Sequence, residues 1–332
     1  MPRSMIRSRF VGLGAALPAR VMRNAEVEER LGVEPGWIES RTGVVERRVL
    51  GDEASLVDLA ERAARDALGR AGIAPRELDA VVVATTSSPY LFPSLGCLLH
   101  ERLGLSIAPA FDVAAACAGF PYALSVADQG VRAGDYRRVL VVGADALTAF
   151  LDPGDRGTWA LFGDGAGAAV LVAEESSGGA GRGVLACRLR ALGELWPILH
   201  LRAGAHRESD FAAPGADFFM RMRGQEVFRV AVEQLVALTR ETLAAAGLAT
   251  SDVTLLVPHQ ANVRIIRMMI AQLGIDAARV AVNLDRCGNT SAASIPIALS
   301  DALSAGRIQD GDVLVLNAVG GGVTAGAIVA RW

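Results

Sequence analysis

Lysine is absent from this 332-residue chain: all 33 residues counted as Lys or Arg are Arg. That excludes a lysine Schiff base. Cysteine is scarce. Cys97, Cys117, Cys187 and Cys287 are far apart with no C-x-x-C pair, so neither a disulfide framework nor a zinc site is indicated. The longest uncharged run, Val313–Ala330, is broken by Asn317 and by Gly320–Gly322, so no bilayer span is expected. A net charge of −3 gives no support for general nucleic-acid binding. Met1–Phe10 lacks the apolar core of a secretory signal, and a cytoplasmic protein is expected.

With 52% hydrophobic and 21% charged residues, the chain reads as a packed globular protein with two structural units. Phe10–Ala16 predicts a strand and Asn24–Leu31 a short helix. Pro35–Leu50 reads as irregular. Ser55–Ala71 carries Leu56, Leu59, Ala60, Ala63, Ala64 and Leu68 at helical spacing. Leu78–Thr85, Arg138–Gly143 and Gly167–Ala173 read as buried strands, and Pro93–Leu103 as a helix. Gly163–Gly167 superficially resembles a phosphate loop. It lacks the lysine and precedes a strand, so it reads as a tight turn.

The second half repeats the first. Ala71–Ala84 lays without a gap over Ala246–His259, Ala108–Gly119 over Val280–Ser291, and Arg138–Gly143 over Asp312–Asn317, at offsets of 172–175 residues. Such order argues for a duplication. On this alignment Cys117 and Asn289 occupy equivalent points.

Four stretches carry candidate chemistry. In Phe111–Phe120 an apolar run reaches Cys117 and turns into a helix. A helix N-terminus favours a thiolate, although many free cysteines are simply core. Of the four histidines only His259, in Pro258–Asn262, follows directly on a buried strand. Asn289, in Asp285–Pro296, is either a helix cap or a partner in chemistry. Gly320–Gly322 allows close backbone approach, as an oxyanion donor requires, or is a plain turn.

Together these motifs resemble the thiolase superfamily, and within it the type III 3-oxoacyl-(acyl carrier protein) synthases that initiate bacterial fatty acid synthesis. The resemblance is carried by Trp37-Ile38, Arg41–Arg47, Val83–Ser87, Phe92–Ser94, Phe111–Phe120, Asp155–Thr158, Phe162–Val170, Pro258–Asn262, Gly288–Pro296 and Gly320–Gly322, nearly the whole chain. It implies an α/β, five-layer αβαβα fold of two duplicated halves related by a pseudo-two-fold, here residues 1–178 with Cys117 and 179–332 with His259, Asn289 and the glycine loop.

The resemblance also implies that Cys117 accepts an acyl group from a primer acyl-CoA. It implies that the N–H groups of Cys117 and Gly321 hold the oxyanion, and that His259 and Asn289 assist decarboxylation of malonyl carrier protein. Trp37, Arg41, Arg156 and Asn262 match coenzyme A contacts. Phe92 matches a dimer-loop residue that shapes the partner's primer pocket, which implies a homodimer, and Val319 and Ala325 match primer-pocket positions. Arg264, and after it Arg229, match residues that meet the carrier protein. No metal or organic cofactor, nucleic acid or membrane is implied.

Ala271 and Gln272 replace frequent basic residues, which puts carrier docking in doubt. Val319 and Ala325 replace frequent aromatics, suggesting a roomier acyl site. A specialised synthase using a branched, longer or carboxylated primer therefore stands beside the housekeeping reading. So does an acyltransferase of secondary metabolism. Arg188–Gly215 is longer than usual. A degradative thiolase needs a second cysteine near the C-terminal glycines, and Val313–Trp332 has none. Type III polyketide synthases carry a Gly-Phe-Gly-Pro-Gly stretch missing here. A papain-like protease has different surroundings for its cysteine. From another functional class, a non-catalytic acyl-CoA-binding protein would not need Cys117.

Overall fold

The protein was analysed as a computed structural model that describes residues 5–176, 181–202 and 218–332. Its centre is two sheets. The first contains β1 (Met5–Ala16), β2 (Ala80–Ala84), β3 (Ala110–Val113), β4 (Arg138–Asp145) and β5 (Gly165–Ser176), in the order β1-β5-β4-β2-β3. The second contains β6 (Gly183–Ala191), β7 (Leu255–Pro258), β8 (Val313–Gly320) and β9 (Thr324–Arg331), in the order β6-β9-β8-β7. Strand directions match as well. β2 runs parallel to both neighbours, and β4-β5 and β5-β1 are antiparallel. β7 runs parallel to β8, and β8-β9 and β9-β6 are antiparallel. The place of β3 is taken in the second sheet by a single parallel bridge, Leu256 to Val280.

The helices repeat too. α1 (Leu56–Ala71) and α2 (Leu95–Leu103) precede β2 and β3 or lie between them, and α3 (Gly119–Ala133) follows β3. Their counterparts are α4 (Gly224–Ala245), α5 (Val263–Leu273) and α6 (Ser294–Ser304). α1 and α2 cover the outer face of the first sheet, α4 covers the second with α5 packed beside it, and α3 and α6 lie between the sheets. Three apolar clusters follow these layers. One fills the space between the sheets, around Phe120, Leu124 and Leu299, and the other two lie under α1 and under α4.

Local sequence explains the elements. α1 begins at a capping box in which Ser55 and Asp58 satisfy each other's backbone N–H groups. It ends at Gly72 in the left-handed region (φ 66°). Gly12 and Gly14 let α1 lie directly on β1: a Cβ at either would stand 2.2 Å from a carbonyl oxygen, of Ala67 or Ala63 respectively. β2, Ala-Val-Val-Val-Ala, is buried at every position, as suits a strand covered on both faces.

One stretch differs from expectation. Within residues 35–50 there is a helix, Trp37–Thr42, and a strand, Glu46–Arg48, paired with Val21–Arg23. The helix spans six residues between two glycines with φ near 80°, too short to show periodicity.

The repeat holds with a shifted register. Ala116 (φ 46°) opens a 3₁₀ turn, Ala116–Ala118, before α3, and Ser291 (φ 52°) opens Ser291–Ala293 before α6. The N–H of Ala118 donates to Ala115 O, and that of Ala293 to Thr290 O, both at 3.0 Å. The structural counterpart of Cys117 is therefore Ala292, not Asn289. The two turns stand 175 residues apart, the offset of the Ala71–Ala84 overlay and not the 172 of the Ala108–Gly119 overlay.

Candidate active site

Cys117 stands where β3 gives way to α3. Ala116 adopts a left-handed backbone, rare for a residue with a Cβ. This turn throws the chain over sharply and places Cys117 in the 3₁₀ turn that leads into α3. Gly320, at the end of β8, packs on the same turn. A Cβ there would lie 2.7 Å from Cys117 N, 2.8 Å from Ala118 N and 2.9 Å from Ala115 O. Thr324 Oγ1 donates to Ala115 O at 2.8 Å, which ties the glycine loop to the cysteine turn.

Cys117, His259 and Asn289 are each 5% exposed. All three line one cavity of about 570 Å³. His259 follows β7, and its backbone N–H donates to Asn317 O at 2.8 Å. Its Nδ1 is paired with Ser294 Oγ at 2.7 Å, which leaves Nε2 as the ring nitrogen for other partners. Burial lowers the His259 pKa to about 3, so the ring is neutral at physiological pH. Asn289 Oδ1 accepts the N–H of Ser291 at 2.9 Å. The amide NH₂ is thereby turned away from that contact as a donor.

Burial pushes the Cys117 thiol up to about 12, opposed by a hydrogen bond from Ser291 and reinforced by the Asp145 charge. The expectation that the helix start keeps Cys117 as a thiolate is corrected here. The turn is at a helix start, but desolvation outweighs it, and the resting group is a thiol. Asp145 itself is fully buried. Its Oδ1 accepts from Thr86 N at 2.9 Å and Ser87 Oγ at 2.8 Å, and its Oδ2 from Ala292 N at 3.1 Å. Burial raises its pKa against these hydrogen bonds.

At the other end of the cavity lie Trp37, Arg41, Arg156, Asn262 and Arg264. The Arg41 guanidinium lies 4.6 Å from the Trp37 ring centroid. Asn262 caps α5 by accepting from Arg264 N at 2.8 Å, and donates to Arg41 O at 3.3 Å. Arg264 donates to Ser40 O at 2.9 Å. The three arginines are exposed, so the cavity runs from a cationic rim to a buried polar floor.

Cys117 also lines a second cavity of about 330 Å³, with Ala114–Ala116, Leu147, Phe162, Leu199, Met220 and Gly321 among its walls. Within one chain the three primer-pocket positions lie apart, Phe92 being expected to enter the pocket of a partner subunit. Val319 lines the first cavity. Ala325, its cross-strand partner, is fully buried against Leu238 of α4 and lines neither. Phe92 is 83% exposed beside Leu91 at 96% and lines neither within this chain. Leu238 packs against Ala325, whereas Val319 lines the cavity that holds Cys117. Arg229 is exposed on α4, outside both cavities. Of the long stretch 188–215, residues 203–215 lie outside the described residues.

Sequence reasoning missed Asp145, Ser291 and Ser294. An acidic residue closing a buried strand was the available signal for Asp145; the two serines carried none. No helix among the described residues is long and apolar enough to cross a membrane. No group of three or more His, Cys, Asp or Glu among them could hold a metal ion.

Comparison with known proteins gives the family and the fold. Residues 111–193 match the family model 3-oxoacyl-(acyl-carrier-protein) synthase III, and residues 243–332 match its C-terminal model. The chain is 45% identical to beta-ketoacyl-(acyl-carrier-protein) synthase III of Rhodospirillum centenum (strain ATCC 51521 / SW), over 98% of this chain and 99% of that one. A crystal structure of the Thermus thermophilus synthase III superposes with a TM-score of 0.91 at 43% identity, covering 98% and 99% of the two chains. The priming beta-ketosynthase of the R1128 polyketide pathway superposes with a TM-score of 0.91 at 34% identity, covering 100% and 97%. Thiolase-like in fold and a condensing acyltransferase in type, the chain belongs to the 3-oxoacyl-(acyl-carrier-protein) synthase III family.

Proposed function

We infer that this protein joins a primer acyl-CoA to malonyl-acyl carrier protein by decarboxylative Claisen condensation, giving 3-oxoacyl-acyl carrier protein. One observation carries the assignment of roles: a single cavity has Arg41, Arg156 and Arg264 at its rim and Cys117, His259 and Asn289 at its floor. A phosphate-bearing head at the rim and a thioester at the floor match that polarity.

In the first half-reaction Cys117 Sγ attacks the thioester carbon. Sulfur–carbon bond formation expels coenzyme A, whose sulfur ends with the proton lost by Cys117. The N–H groups of Cys117 and Gly321 hold the oxyanion. In the second, the carbon–carbon bond to the malonyl carboxylate breaks and carbon dioxide leaves. His259 Nε2–H and the Asn289 amide donate to the thioester oxygen as it gains charge. The resulting carbanion attacks the Cys117 thioester, and the departing thiolate regains a proton from water. A neutral His259 suits this donor role. Ser294 supports it if its hydroxyl donates to Nδ1, which puts the ring proton on Nε2.

Trp37, Arg41, Arg156 and Asn262 serve coenzyme A, and Arg264 with Arg229 the acidic carrier. The functional halves are residues 1–178 and 179–332. The chain works as a homodimer through the open edge of β3 and the neighbouring exposed Leu91, Phe92 and Ile107. It acts in the cytoplasm without a metal or organic cofactor.

Intact-mass measurement after incubation with acetyl-CoA and longer acyl-CoAs tests the nucleophile. A gain of one acyl group, lost in Cys117→Ala, is expected. No gain on folded protein with any primer would overturn the assignment.

A further inference from the structure

The turn that mirrors the cysteine turn is held by a buried carboxylate. Ser291 opens it with φ at 52°, a backbone that persists in a residue with a Cβ only where its surroundings enforce it. Asp145, at the end of β4 and fully buried, supplies such an anchor. Its Oδ2 accepts the N–H of Ala292 at 3.1 Å. Its Oδ1 accepts from Thr86 N at 2.9 Å, Ser87 Oγ at 2.8 Å and Thr85 Oγ1 at 3.2 Å. Ser87 Oγ in turn accepts the N–H of Ala146 at 2.9 Å. The carboxylate is thus fixed to the first half of the chain while it grips the second.

Ala292 is the structural counterpart of Cys117. On the reading above, the N–H of Cys117 serves the substrate oxyanion; the matching N–H of Ala292 is already given to Asp145. The groups that orient the decarboxylating pair stand on either side of Ala292. Ser291 N donates to Asn289 Oδ1 at 2.9 Å, and Ser294 Oγ pairs with His259 Nδ1 at 2.7 Å. Both move with the turn that Asp145 holds. The cysteine turn has support of its own, from Gly320 packed upon it and from Thr324 Oγ1 donating to Ala115 O at 2.8 Å.

We propose that Asp145 is a positioning residue for decarboxylation: by holding the Ser291–Ala293 turn from the first half of the chain, it sets the Asn289 amide and the His259 ring for their work on the malonyl thioester. The proposal rests on the condensing function inferred above and deepens it. Asp145→Asn keeps the shape of the side chain but not both contacts. Its amide nitrogen must face the N–H of either Thr86 or Ala292, donor against donor.

The test separates the half-reactions. In Asp145→Asn, acylation of Cys117 by acetyl-CoA, read by intact mass, is expected to be no slower than in wild type. Carbon dioxide release from malonyl carrier protein is expected to fall about ten- to a hundredfold. On a Ser294→Ala background the same substitution is expected to cost a smaller factor, because part of its effect passes through Ser294. In NMR spectra of protein carrying isotope-labelled histidine, the His259 ring nitrogens are expected to shift in Asp145→Asn toward their positions in Ser294→Ala. If Asp145→Asn does not fold, Ser87→Ala carries the test. It removes one donor from the carboxylate and is expected to slow the same step severalfold. Equal losses in the two half-reactions, a His259 signal that does not move, or an undiminished factor on the Ser294→Ala background would overturn the positioning role. Failure of every primer to acylate folded wild-type protein would instead overturn the condensing function beneath it.

Discussion

Ser294 and His259 are joined at 2.7 Å through Oγ and Nδ1, in a site where both residues are buried. The serine opens α6, the histidine follows β7, and the contact fixes which ring nitrogen is left for substrate. Ser294→Ala removes the one partner that Nδ1 has among the described residues. It is expected to slow decarboxylation of malonyl carrier protein by ten- to a hundredfold, about the effect of leaving one buried polar group unpaired, while acylation of Cys117 falls less. Separate assays of the two half-reactions check this; equal losses in both would contradict it.

The depressed pKa of His259 makes a stability prediction. The folded value is about 3 against an ordinary 6.5. Between these values the unfolded chain binds a proton that the folded chain does not, so stability is complete above pH 6.5 and falls as the pH drops toward 3. In urea melts at pH 8 and pH 5, wild type is expected to lose more stability than His259→Gln. An unchanged difference between the two proteins would contradict the neutral buried ring.

Ser291 and Asp145 act on the Cys117 thiol with opposite signs. Ser291→Ala removes a hydrogen bond that lowers its pKa and is expected to slow iodoacetamide alkylation at pH 8. Asp145→Asn removes a charge that raises it and is expected to speed alkylation. Rates followed from pH 7 to pH 10 show both shifts in the profile, and shifts in the same direction would count against the arrangement.

Gly320→Ala inserts a Cβ 2.7 Å from Cys117 N. Overpacking of this kind costs roughly 1–3 kcal/mol, and here it displaces the nucleophile, so acylation is expected to be lost while the fold persists. Gly322→Ala, with nothing within 4 Å of its Cβ but φ at +70°, is expected to cost about 1 kcal/mol with acylation largely kept. Thermal melts and intact-mass acylation distinguish the two.

Much of the fold could be read from the residues because its strands are apolar runs of the right length and its helices keep their period. The offset between halves announced two similar sheets. Cys117 and His259 stood out by residue type and by position at strand ends, and Asn289 by its place before a helix. What the sequence hid depends on packing. Ser294 is an ordinary serine until burial pairs it with His259, and Ser291 until its turn sets it beside Cys117. Asp145 gains meaning only from the turns converging on it. Which of Val319 and Ala325 faces a cavity depends on the helix packed over the sheet, and Leu238 packs against Ala325. The three-residue shift between halves was invisible because a loop's length is free until the elements on each side are fixed.

The two left-handed turns meet near the pseudo-two-fold, where a Cβ on Gly119 would come within 3.4 Å of Ala292 Cβ and one on Gly143 within 2.3 Å of Ala292 O. The molecule thus has two geometrically alike elbows and clearance for a reactive side chain at only one. Ala292 keeps the strained bend without the sulfur, 1% exposed and walled in by its twin. A chain built by copying itself has in this way become single-sited: the second elbow is a buttress, and moving the nucleophile across the axis would require rebuilding both halves together.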